Sequence, residues 1–162
     1  MPDYAWIKRG KERWIKSNSG RKRANLLGGY SPISNTLEIL QTTGRCNGDT
    51  VIQLLDRIRK AHPRARRIVV IMDNIPYQRA RKVKEYAEKT NIELFYLPPY
   101  SPNLNLIERL WDFLKEILVR NKYYETFALF YDAVSDALKT LKDQKEKWIS
   151  RMTENFQVLN CA

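Results

Sequence analysis

The sequence predicts an α/β domain whose strands form a mixed sheet flanked by helices, and three observations carry that expectation. Ile68 to Met72 (IVVIM), an amphipathic helical stretch over residues 76–89, and a second β-rich run over residues 92–97 (IELFYL) give strand, helix and strand within about 30 residues. Such a unit makes its two strands parallel. Residues 23–33 and 36–42 read as two further strands, joined by the turn-forming Ser31-Pro32-Ile33-Ser34-Asn35, which predicts an antiparallel hairpin. A long helix follows, with Leu104, Ile107, Leu110, Trp111, Leu114, Ile117 and Leu118 on its apolar face.

The remaining elements follow in order. Gly48-Asp49-Thr50 opens a helix with Val51, Leu54, Leu55 and Ile58 at helical spacing, and His62-Pro63 stops it. His62 has no Cys or His nearby and is expected to face solvent. The continuous β-branched run IVVIM fits a strand covered by helices on both faces. Pro98-Pro99-Tyr100-Ser101-Pro102 imposes a rigid loop before the long helix. A last helix carries Phe127, Phe130, Val134, Ala137, Leu138 and Leu141 and trails into the charged run 142–147.

The chain has 162 residues, 43% of them hydrophobic and 29% charged, which suits one compact domain over residues 1–162. There is no internal repeat, low-complexity tract or linker. No run of about 18 uncharged apolar residues exists, so a membrane-spanning helix is excluded. Residues 1–10 carry Trp6 and Ile7 singly among charges, so no secretory segment is expected. Cys46 and Cys161 match no metal-ligand spacing and make a poor disulfide framework, which favours a reducing cytoplasm.

Twenty-nine Lys and Arg oppose 18 Asp and Glu, a formal charge of +11. That excess points to a polyanionic partner, most simply nucleic acid. Residues 1–23 hold eight of the basic side chains, among them Lys8, Arg9, Lys11, Arg21 and Arg23, interleaved with Tyr4, Trp6, Trp14 and Ile15. They lack a helix–turn–helix pattern. Arg57, Arg59, Lys60, Arg64, Arg66 and Arg67 form a second cluster, read as a solvated face. Tyr77, Tyr100, Tyr123 and Tyr124 can stack on unpaired bases or serve as ordinary half-buried aromatics.

Two acids are candidates for chemistry. Asp73 follows IVVIM, and the carboxyl ends of strands in open α/β sheets are where sites gather. A carboxylate there suits a hard divalent cation, or else it caps the helix near Pro76. Glu108 lies early in the long helix, where it can close a capping box with Asn105 at the N-cap or act as a second ligand. Arg109 and Lys115, near the flank of Glu108, are candidates for phosphate contact.

With 34 residues between the two acids, the string from Leu97 to Trp111, LPPYSPNLNLIERLW, resembles the signature of the DDE transposases of the mariner-like superfamily, bacterial insertion-sequence branch. Asp73-Asn74 resembles the second acid and its usual Asn, and Trp6-Ile7-Lys8-Arg9-Gly10 and Asn18-Ser19-Gly20-Arg21 also look like this branch. Leu106 departs from the pattern, since many members carry Pro there, a change that removes no ligand. The resemblance implies a ribonuclease-H-like fold, DNA cleavage and joining at transposon ends and target, and two Mg²⁺ (or Mn²⁺) ions held in part by Asp73 and Glu108. It implies a cytoplasmic, nucleoid-associated bacterial setting, and it admits a homodimer or a separately encoded N-terminal fragment as partners.

In such relatives the first acid sits on a central strand upstream of the segment resembling residues 4–10. The expectation is therefore an incomplete catalytic domain lacking its first, central strand, and inactive alone. The alternatives are a non-catalytic nucleic-acid-binding remnant and, behind it, an RNA-processing enzyme on the same fold.

Overall fold

The computed structural model describes residue 9 and residues 22–99, 101, 104–120, 122–143 and 145–152. Lys8, Lys11, Arg21 and Tyr100 lie outside the described residues.

Strands β1 (Asn25–Ser31) and β2 (Thr36–Thr42) form the expected antiparallel hairpin, in register from Asn25 opposite Thr42 to Ser31 opposite Thr36. Asn35 closes the turn at φ 50, a left-handed conformation that Asn tolerates, and its Oδ1 accepts from the Tyr30 hydroxyl at 2.7 Å. Helix α1 (Gly48–Ala61) follows, started by a complete capping box. Asn47 Oδ1 accepts from the N–H groups of Asp49 and Thr50, while Thr50 Oγ1 accepts from the Asn47 N–H at 2.8 Å. Strands β3 (Ile68–Met72) and β4 (Ile92–Tyr96) are parallel, as the strand–helix–strand pattern predicts.

The helical stretch between them divides. Pro76–Arg79 is a short 3-10 turn, Ala80 is extended, and α2 (Arg81–Lys89) begins beyond it with Val83 and Ala87 buried. Helices α3 (Leu106–Leu118), α4 (Phe127–Asp143) and α5 (Lys145–Ile149) complete the chain. The short α5, where a charged tail is expected, is held by Trp148. That side chain is 1% exposed, donates from Nε1 to the Leu141 carbonyl at 2.9 Å, and meets the Tyr30 ring edge-on at 5.7 Å.

Two apolar clusters result. One joins the hairpin through Leu37 to Leu110 and Leu114 of α3, Val134 and Leu141 of α4, and Trp148. The other packs Val51 and Leu55 of α1 against Met72, Val83, Ala87 and Ile92. Full burial of Leu55 alone is worth about 1.5–3 kcal/mol.

The hairpin lies between the clusters because β1 carries two adjacent glycines. A Cβ on Gly28 would meet Trp111 of α3, and one on Gly29 would meet Ile58 of α1 at 2.8 Å. Successive strand residues face opposite ways, so this pair lets a helix approach on each side.

Two expectations are corrected. IVVIM is covered on one face only: Ile68 and Val70 pack against the second cluster and Met72 is buried in it, whereas Val69 and Ile71 are 52% and 57% exposed. Alternation along the strand overrides its uniformly apolar composition, because α1 and α2 cover a single face. His62 is half-buried rather than solvent-facing, and its Nε2 lies 3.0 Å from Thr36 Oγ1. The turn that ends α1 brings it to the hairpin. The hairpin and the parallel pair form two separate two-stranded sheets, with no strand joining them among the described residues.

Candidate metal centre

The β3–β4 ladder places Asp73. It extends one step past the strands, through the Leu97 N–H donating to the Met72 carbonyl at 2.8 Å, so Asp73 leaves the sheet where the two parallel strands end together. Its side chain is half-buried. The loop after β4 then returns the chain to this edge and starts α3.

Asn105 caps α3 by accepting from the Ile107 N–H at Oδ1 (3.3 Å), while its Nδ2 donates to Asp73 Oδ1 at 2.9 Å. One amide thus ties the end of β3 to the start of α3. Glu108 lies in the first turn of that helix, where the positive end of the dipole favours an acid. Among the described residues, no bond from its carboxylate closes the capping box with Asn105, so the carboxylate is not consumed by the cap.

The charge of Asp73 reaches Glu108. Burial pushes the Glu108 carboxyl above its ordinary range, and the charge of Asp73 pushes it in the same direction, with Asp112 adding and Lys115 opposing. The Asp73 charge also reaches Tyr77, whose phenol is raised first by burial, then by Cys46 and Asp73.

The donor set suits a hard cation. Both side chains are oxygen donors, and the neighbouring Asn74 Oδ1 is buried without a hydrogen-bond partner. Among the described residues, no group of three or more His, Cys, Asp or Glu side chains is placed to share an ion. Asp73 and Glu108 each offer oxygen donors of the kind a hard cation takes.

The basic candidates are dispersed. Lys115 is exposed and paired with Asp112 at 3.1 Å, two turns along α3 from Glu108. Arg109 is half-buried and directs Nη1 to the Arg151 carbonyl at 3.5 Å. Arg9 and Arg23 are exposed. In the second basic cluster, Arg57 and Arg59 donate to backbone carbonyls, and Lys60 and Arg67 pair with Asp56 and Glu93. Tyr124 donates to the Leu118 carbonyl at 2.8 Å and packs edge-on against Phe130, a structural placement. The sequence reading gives Asn105 only a capping role. Its contact with Asp73 spans 32 positions, and no local pattern announces it.

A parallel βαβ unit beside a helix-covered hairpin is an arrangement found in ribonuclease-H-like folds, and the likeness to a solved structure shows that fold. The catalytic domain of Mos1 transposase, solved with Raltegravir and Mg, has the same fold: 22% identical, with 86% of this chain and 73% of that one covered at a TM-score of 0.63. Residues 1–129 match the DDE superfamily endonuclease family, and the chain belongs to it. It is similar to the insertion element IS630 uncharacterized 39 kDa protein of Shigella sonnei, 28% identical over 118 residues. It is similar also to the transposable element Tc3 transposase of Caenorhabditis elegans, 33% identical over 84 residues. The matches cover 72% and 51% of this chain, and the chain spans 34% and 26% of those relatives' own lengths. No helix among the described residues is long and apolar enough to cross a membrane.

Proposed function

We propose that this chain contributes to metal-dependent DNA strand cleavage and transfer in DNA transposition, with Asp73 and Glu108 as ligands of a divalent cation, Mg²⁺ or Mn²⁺. What supports the reading is that both residues are half-buried, that Asn105 at the start of α3 ties to Asp73 at the end of β3, and that the Glu108 carboxyl is raised by burial and then by the Asp73 charge. A bound cation supplies Lewis acidity, activating an oxygen nucleophile and stabilising the leaving oxygen of a phosphodiester. The protein's part is to hold two acids from separate elements at one point, where proton transfer by either is not required.

Family membership and the transposase relatives support DNA as the substrate. The net charge of +11 supports phosphate binding by a salt-dependent, largely sequence-independent attraction, to which Lys8, Arg9, Lys11, Arg21, Arg23, Arg109 and Lys115 contribute. Among the described residues no third such side chain joins Asp73 and Glu108, and the expected consequence is weak cation binding and no DNA cleavage by this chain alone. The remaining ligand of a two-ion site comes from outside the described residues, within an assembly of one or two copies.

Titration with Mn²⁺, followed by thermal melting, tests the site. Mn²⁺ is expected to raise the melting temperature, and Asp73→Asn or Glu108→Gln is expected to abolish the rise. An equal rise in both variants overturns the assignment. Nicking of supercoiled DNA by this chain with Mg²⁺, lost on Asp73→Asn, overturns its inactivity. A second reading, a nucleic-acid-binding protein without catalysis, is favoured by the basic excess taken with the incomplete acid cluster. It predicts DNA binding with a steep salt slope and no response to Mn²⁺.

A further inference from the structure

We infer that Asn105 is a positioning residue for the cation site, setting the orientation of the Asp73 carboxylate and coupling it to the start of α3. This rests on the reading of Asp73 and Glu108 as metal ligands.

The geometry is that of an amide with both ends engaged. Nδ2 donates to Asp73 Oδ1 at 2.9 Å and Oδ1 accepts from the Ile107 N–H at 3.3 Å. The Glu108 N–H in turn donates to the Asn105 carbonyl at 3.1 Å, so residue 105 holds Asp73 with its side chain and the Glu108 backbone with its main chain. Occupying one face of Asp73 Oδ1 leaves Oδ2 and the remaining lone pairs for a cation, and it restricts rotation of the carboxylate about the Cβ–Cγ bond. Outer partners that orient ligating carboxylates typically contribute 10–100-fold in metal affinity.

Capping and positioning are separable by substitution. Asn105→Ser keeps an N-cap acceptor of nearly equal quality but has no donor that reaches Asp73. Asn105→Asp keeps the cap and replaces the donor with a second carboxylate. The expected result is a melting temperature within about 3 °C of wild type for Asn105→Ser. Its Mn²⁺ affinity, read from paramagnetic broadening of backbone amide resonances, falls about 10-fold or more. Unchanged Mn²⁺ affinity in Asn105→Ser overturns the positioning role and leaves the two-ligand reading standing.

A wild-type chain that does not respond to Mn²⁺ removes the ligand reading instead, and the tie is then judged in the metal-free protein. The Asn105 side-chain N–H resonance, shifted by its carboxylate partner, is expected to move on Asp73→Ala. Its failure to move overturns the tie itself.

Discussion

Gly28 of β1 and the indole of Trp111 of α3 are in such close contact that a Cβ on Gly28 would lie 2.7 Å from Trp111 Cη2 and 2.8 Å from Cζ2. The same atom would stand 3.3 Å from Ile107 Cδ1. The ring therefore has Ile107, one residue before Glu108, beside it on the helix, and the hairpin fixes the height at which α3 sits.

Gly28→Ala is accordingly expected to destabilise the fold by about 1–3 kcal/mol through overpacking. Trp111→Phe, which shortens the ring, is expected to offset part of that loss. Denaturant melts of the two single variants and the double variant give a coupling energy; additive effects would refute the contact.

Trp148 closes the first cluster from a five-residue helix too short to be stable alone. Trp148→Ala is expected to cost about 3–5 kcal/mol. Trp148→Phe fills much of the space but leaves the Leu141 carbonyl without its buried donor, a loss of about 1–3 kcal/mol. Thermal unfolding followed by circular dichroism distinguishes the two.

Arg151 is the other anchor of this end. Its guanidinium lies 4.8 Å from the Phe113 ring centroid and donates to Glu116 Oε2 at 2.6 Å. That bond holds the Glu116 carboxyl below its usual range, while an unfolded Glu titrates near about 4.3. Because the folded value is the lower one, the tie stabilises the protein above the unfolded value and is lost as pH falls through the folded one. Glu116→Gln is expected to lower the melting temperature at pH 7, with the difference closing below about pH 4. A difference that persists at pH 3 would assign the effect to packing.

Glu108 behaves in the opposite sense. Burial and the Asp73 charge both disfavour its ionised form, so the metal-free protein carries a cost there at neutral pH. Glu108→Gln is expected to raise the melting temperature without metal and to remove the gain from Mn²⁺. A lower melting temperature in the metal-free variant would show that the carboxylate makes a stabilising contact instead.

Local pattern made most of the elements legible. Turn residues between two strand-like runs gave away the hairpin, and helical spacing from Val51 to Ile58 gave away α1 and the face it buries. The strand–helix–strand succession fixed the parallel pairing of β3 with β4. What pattern misread were exposures. A strand of five apolar residues reads the same whether one face or both are covered, so Val69 and Ile71 looked buried. Trp148 follows a charged run without periodicity, and its burial depends on Tyr30 and Leu141, which reach it only through packing.

The sequence by itself determined the order of elements and the basic character of the chain, since short-range spacing and composition encode both, and the resemblance of its Leu97–Trp111 string singled out the two acids on which the metal reading rests. Only the tertiary structure decided which side of the sheet is covered and where α3 sits against β1. It alone decided that Asn105 meets Asp73. Those outcomes depend on contacts between residues far apart along the chain, made by shape and hydrogen bonding in three dimensions, and no local stretch records them.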